Sequence, residues 1–183
     1  VKKVFIFKNM EDSVSQNQNL DLSALLLQSL GGATKVAVLG IGSELRGDDI
    51  AGMFVAEKLE NKFKKSQSVK VFFGGTAPEN LTGEIKKFAP SHIIMIDASD
   101  TSQEPGTISF IDPENVGGIS FSTHMMPIKI MVDYLKEALN CKSVIVGIQP
   151  KSIHFGVKPS KEVLKSADQV ASSIRKVLKS IQL

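Results

Sequence analysis

The sequence of 183 residues contains a single cysteine, Cys141, which excludes an internal disulfide framework and fits a reducing compartment. It has no apolar run near the roughly 20 residues needed to cross a bilayer, and its N-terminus lacks a signal-peptide pattern. Neither sign of charge dominates: 22 Lys and Arg stand against 19 Asp and Glu, a formal net charge of +3. The lysines are scattered, so no basic, aromatic-interleaved groove for nucleic acid stands out. Internal repeats and low-complexity blocks are also missing. A soluble cytoplasmic protein without nucleic-acid partner or membrane span is expected. With 42% hydrophobic residues, the chain can bury one ordinary core and is too short to suggest two.

Residues 4–8 (VFIFK) suit a short strand, the polar run 9–19 reads as a surface linker, and 21–30 (DLSALLLQSL) reads as a helix stopped by Gly31 and Gly32. These first 34 residues look like an extension before a single α/β domain at 35–183. From Lys35 the pattern alternates. Residues 36–39, 69–73, 93–97 and 143–148 are short, nearly continuous apolar runs, as expected of strands covered on both faces. Helical stretches at 49–63, 78–88 and 127–139 lie between or beside them. A last helix over 160–181 repeats Val163, Ala167, Val170, Ile174 and Val177 along one face. This alternation implies an α/β sandwich with a mainly parallel sheet. Residues 107–111 follow the third strand too closely for a crossover helix, so they are expected to run antiparallel.

The stretch VAVLGIGSELRGDDIAG at 36–52 begins as a strand entering a glycine turn, yet it lacks what a nucleotide site requires. The third glycine of a dinucleotide turn is missing after Gly40 and Gly42, and no Gly-Lys-Ser/Thr follows. Asp48 and Asp49 instead put negative charge where helix N–H groups would attract phosphate. Such a turn suits a cation. The plainer reading is that Asp48 caps the helix and Asp49 complements its dipole, worth about 1 kcal/mol. Other residues shift the balance. Asp97 ends the run 93–97, at the edge where parallel strands open into a crevice, and the turn carrying Asp49 opens on the same edge. His124 precedes a helix in a loop. Two carboxylates and one imidazole suit a borderline divalent ion and leave coordination positions open. Asp100 reads as a turn residue, His92 as structural, His154 as undecided and Cys141 as a small apolar residue. Met125, Met126 and Met131 have helical spacing and read as core.

Six strings then carry a family resemblance: GIGSELRGDDIAG at 40–52, GGTAPEN at 74–80, IDASD at 96–100, PGTISFIDP at 105–113, STHMMP at 122–127 and GIQP at 147–150. In that order they resemble the [NiFe]-hydrogenase maturation endopeptidases, most closely the formate-hydrogenlyase and energy-converting branch. The resemblance implies a twisted, mostly parallel five-stranded sheet with helices on both faces, a three-layer sandwich. It also implies that Asp49, Asp97 and His124 contact the metal and carry catalysis. Ser43 stands where the family usually has Asn, and Ile50 where it usually has Gly.

The implied substrate is the nickel-loaded precursor of a hydrogenase large subunit, which loses a C-terminal extension once. Nickel travels with the precursor, and the free enzyme is expected to bind a divalent ion such as Ni, Zn or Cd only weakly. A paired-aspartate mechanism would require two carboxylates sharing a proton, and His124 favours the metal account instead. Two other readings stay open: a nickel-sensing assembly chaperone that uses the same three side chains without cutting, and a metal-dependent aminopeptidase-like hydrolase on a similar sheet.

Overall fold

The computed structural model describes residues 4–7, 22–111, 113, 120–121 and 125–183. In chain order these form β1 (Val4–Phe7), α1 (Leu22–Ser29), β2 (Val36–Ile41), α2 (Ala51–Phe63), β3 (Val69–Gly75), α3 (Thr82–Phe88), β4 (His92–Asp100), β5 (Ile108–Ile111), β6 (Ser120–Phe121), α4 (Met125–Leu139), β7 (Lys142–Ile148) and α5 (Lys161–Ser180). Tight 3-10 turns at Gly47–Ile50 and Pro78–Leu81 lead into α2 and α3. The helices expected from residues 49 and 78 therefore open as 3-10 turns, and the one expected from 127 starts earlier, at Met125.

Five strands make the expected sheet, in the order β5-β7-β4-β2-β3. Neighbours among β2, β3, β4 and β7 are parallel, while β5 runs antiparallel to β7, as its short connection from β4 requires. β1 pairs antiparallel with the outer edge of β5, Val4 opposite Ile111, and β6 pairs antiparallel with the last two residues of β4.

Alternate residues of each central strand point to opposite faces, and here both faces are apolar. Val36, Val38, Ile94, Ile96, Val144 and Val146 share one core with side chains of α1, α2 and α5. Ala37, Leu39, Ile93, Met95 and Ile145 share the other with α3 and α4. The result is the three-layer sandwich. α5 buries the predicted face, with Ser160 as its N-cap: the Ser160 hydroxyl accepts from the Val163 amide at 3.4 Å. Leu22, Leu26 and Leu30 belong to the same core as that face. Among the described residues no helix is long and apolar enough to cross a membrane.

The strand order places a switch point beside the central strand. β2 connects through α2 to β3 on one side, while its neighbour β4 lies on the other side and pairs onward with β7. Crevices in open α/β sheets form where the connections diverge, at the carboxyl ends of the strands. Here those ends belong to β2 and β4. α2 sits directly on them: a Cβ at Gly52 would run into the carbonyls of Ile41 and Ile96, so only glycine permits this approach.

Candidate active site

The turn after β2 is held in a glycine conformation. Gly42 has φ +132°, its amide donates to the Gly75 carbonyl at 2.9 Å, and a Cβ there would strike the Asp49 carbonyl. The chain thus folds back so that the Ser43 amide donates to Asp49 Oδ2 at 3.0 Å. A backbone group makes this contact, so Ser in place of Asn at 43 does not disturb it. Asp49 is only 1% exposed, and its Oδ1 has no hydrogen-bond partner among the described residues. A buried carboxylate oxygen in that condition costs on the order of 1–3 kcal/mol or more, which singles it out for a functional reading.

Asp97 is fully buried in β4, with its Oδ1 accepting from the Ala98 amide at 2.8 Å. It does not end the strand, as the apolar run suggests, because β4 continues to Asp100. The reason is lateral pairing. The ladder with β2 stops at Ile96, but the one with β7 still includes Asp97 opposite Gly147, and β6 takes up Ser99 and Asp100. Asp97 is therefore the first residue of β4 beyond β2, on the side where the Gly47–Ile50 turn packs against β4. Since α2 also touches Ile96 at Gly52, the structure brings the backbones carrying Asp49 and Asp97 to one crevice. His124 lies outside the described residues. Its described chain neighbours are Phe121, paired with Ser99, and Met125, which opens α4. Among the described residues no group of three His, Cys, Asp or Glu side chains is arranged to hold a metal ion.

Asp48 behaves differently from its neighbour. Neither acid caps the helix with its side chain. Asp48, 1% exposed, accepts instead from the amides of Lys151 at 2.8 Å and Ser152 at 3.1 Å through Oδ2, and from Ser160 at 2.6 Å through Oδ1. It anchors the loop between β7 and α5, and those bonds account for both its oxygens.

This geometry can be set against known proteins. The family model described as HycI hydrogenase maturation protease matches residues 53–177, a span containing Asp97 and His124 and beginning just after Asp49. The chain belongs to the hydrogenase maturation protease family. It is thus a peptidase. It is 35% identical over 119 residues to the hydrogenase 3 maturation protease of Escherichia coli K12, covering 64% of this chain and 74% of that one. Among solved structures, the [NiFe] hydrogenase maturation protease HycI of Thermococcus kodakarensis superimposes with a TM-score of 0.77 at 33% identity, covering 85% of this chain and 99% of that one. The endopeptidase HycI of Escherichia coli superimposes with a TM-score of 0.67 at 31% identity, covering 75% and 87%.

Four residues of this maturation protease shape the surroundings of Asp97 without having stood out in the sequence. Gln149, inside the GIQP string, is 7% exposed and gathers the loop after β4: its Oε1 accepts from the amides of Thr101 at 2.7 Å and Gln103 at 3.3 Å, and its Nε2 donates to Asp100 Oδ1 at 3.2 Å. Asp100 Oδ1 also accepts from the Ser102 amide at 2.9 Å, the turn role expected of it. Gly147 lies between Asp97 of β4 and Ser109 of β5 in the ladder, and a Cβ on it would strike the Ser99 hydroxyl. Ser99 and Ser109 are buried, and neither hydroxyl has a hydrogen-bond partner among the described residues. No spacing rule could have revealed these contacts, which depend on cross-strand register.

The remaining candidates fall elsewhere. His92 opens β4 at the end opposite Asp97, with Nδ1 3.0 Å from Ser91 Oγ. Burial and the nearby Lys142 charge lower its pKa from 6.5, so the imidazole is neutral. Cys141 is 2% exposed in the core beneath α4, and burial raises its thiol pKa to about 11. Met131 is core as expected. His154 is exposed.

Proposed function

We propose that this protease acts in the cytoplasm and removes the C-terminal extension of a [NiFe]-hydrogenase large-subunit precursor already loaded with nickel. Asp49, Asp97 and His124 provide the metal-recognising and catalytic side chains. The observation that carries the reading is the buried Asp49 Oδ1, which has no partner among the described residues and stands at the switch-point crevice with Asp97. An oxygen, oxygen and nitrogen donor set suits nickel, and three protein ligands leave room for those of the precursor. Nickel carried by the substrate would lend Lewis acidity to the scissile carbonyl or to a water. Asp49 Oδ1 is then the atom available to contact that metal or to take a proton from the attacking water as general base. Hydrolysis breaks the peptide C–N bond, leaving a carboxylate on the mature subunit and an amine on the released peptide. Without the precursor the same side chains form only part of a coordination shell, so Ni, Zn or Cd would bind the free protein weakly.

The test pairs the protein with nickel-loaded and nickel-free precursor and reads the precursor C-terminus by mass spectrometry. Trimming of the loaded form alone is expected. Asp49→Asn retains the acceptor for the Ser43 amide, so it, Asp97→Asn and His124→Ala should stay folded while trimming slows by at least about a hundredfold. Normal trimming by all three variants would remove the site assignment. A stable complex without cleavage would identify the chaperone, and turnover of short free peptides the aminopeptidase-like hydrolase.

A further inference from the structure

Phe155 and Leu45, 76% and 64% exposed, are the most exposed large hydrophobic residues among those described, and Val157 is 45% exposed. They meet on two loops. The Gly156 amide donates to the Leu45 carbonyl at 2.8 Å, placing Phe155 and Val157 beside Leu45, and Arg46 Nε donates to the Ile153 carbonyl at 3.2 Å. The Asp48 amide donates to the Ser152 carbonyl at 2.9 Å, and the Asp48 carboxylate holds Lys151, Ser152 and Ser160. These three apolar side chains are thus displayed by a backbone that is fixed before any partner arrives. Exposed apolar groups clustered on a fixed framework mark interaction sites, and preorganisation lowers the entropy lost on binding.

We infer that Leu45, Phe155 and Val157 form a docking surface for the client polypeptide, taking an apolar side chain of the client. The inference rests on the proposed cleavage reaction and adds how the substrate is held. One observation selects this occupant. The surface is continuous with the proposed site: Leu45 lies on the turn that carries Asp49, and Asp48, next to Asp49, holds the loop that displays Phe155 and Val157.

The decisive experiment measures trimming of the nickel-loaded precursor by the full-length protein and by the Leu45→Ser/Phe155→Ser double variant. Loss of the apolar anchors should raise KM about tenfold or more, with kcat and Tm unchanged, because exposed side chains contribute to binding and not to folding. An unchanged KM in the double variant would overturn the inference. So would sedimentation showing a wild-type dimer that the double variant dissociates, because the occupant would then be a second copy. Binding of the uncut precursor to Asp49→Asn, with and without the two Ser substitutions, separates the claims. Weaker binding in the triple variant supports the docking surface even if Asp49 proves dispensable for cutting, and equal binding refutes it even if Asp49 is essential.

Discussion

Asp48 and Asp49 are chemically identical and covalently adjacent, yet the tight turn sends them to different tasks. Asp48 accepts three backbone N–H groups, whereas Asp49 accepts the Ser43 amide on one oxygen and leaves the other without a partner among the described residues. Hydrogen bonding, not residue type, decides which carboxylate is structural. Gly147 makes the same point by omission, because Ser99 occupies the space a side chain there would need. Gly147→Ala is expected to destabilise the fold by roughly 1–3 kcal/mol through overpacking. Adding Ser99→Ala should recover part of that loss in a double-mutant cycle followed by thermal denaturation. Independent, additive effects would mean that the two side chains do not share the space.

At the scale of elements, the loop between β7 and α5 gains its order from a carboxylate more than a hundred residues away in the sequence. Asp48→Asn replaces charge-assisted acceptors with an amide whose NH2 group faces backbone donors. A stability loss of about 3 kcal/mol is expected. Hydrogen exchange at the amides of Lys151, Ser152 and Ser160 should accelerate, while that of β4 follows only the global stability. Unchanged exchange at those amides would show that the loop orders itself. Gln149 acts similarly on the loop after β4, so two polar side chains define the flanks of the crevice.

For the molecule as a whole, the open question of the first 34 residues becomes one of packing. α1 places Leu22 and Leu26 in the core shared with α5, Leu30 follows them there, and β1 extends the sheet at β5. Burying a leucine side chain contributes roughly 2 kcal/mol, so their joint removal should be felt throughout the domain. Deleting residues 1–34 is therefore expected to lower Tm by more than about 10 °C and to expose apolar surface that binds a hydrophobic dye. A truncated protein melting at the wild-type temperature would reduce that segment to an appendage.

Strand identity, helix faces, the antiparallel direction of β5 and the candidate status of Asp49 and Asp97 could all be read from the chain, because periodicity and local turn chemistry are recorded residue by residue. Chain order could not tell the anchor Asp48 from its neighbour, extend β4 past Asp97 or gather Leu45 with Phe155 and Val157. Those outcomes depend on lateral strand register and on backbone hydrogen bonds between segments far apart in sequence, which exist only once the layers have packed.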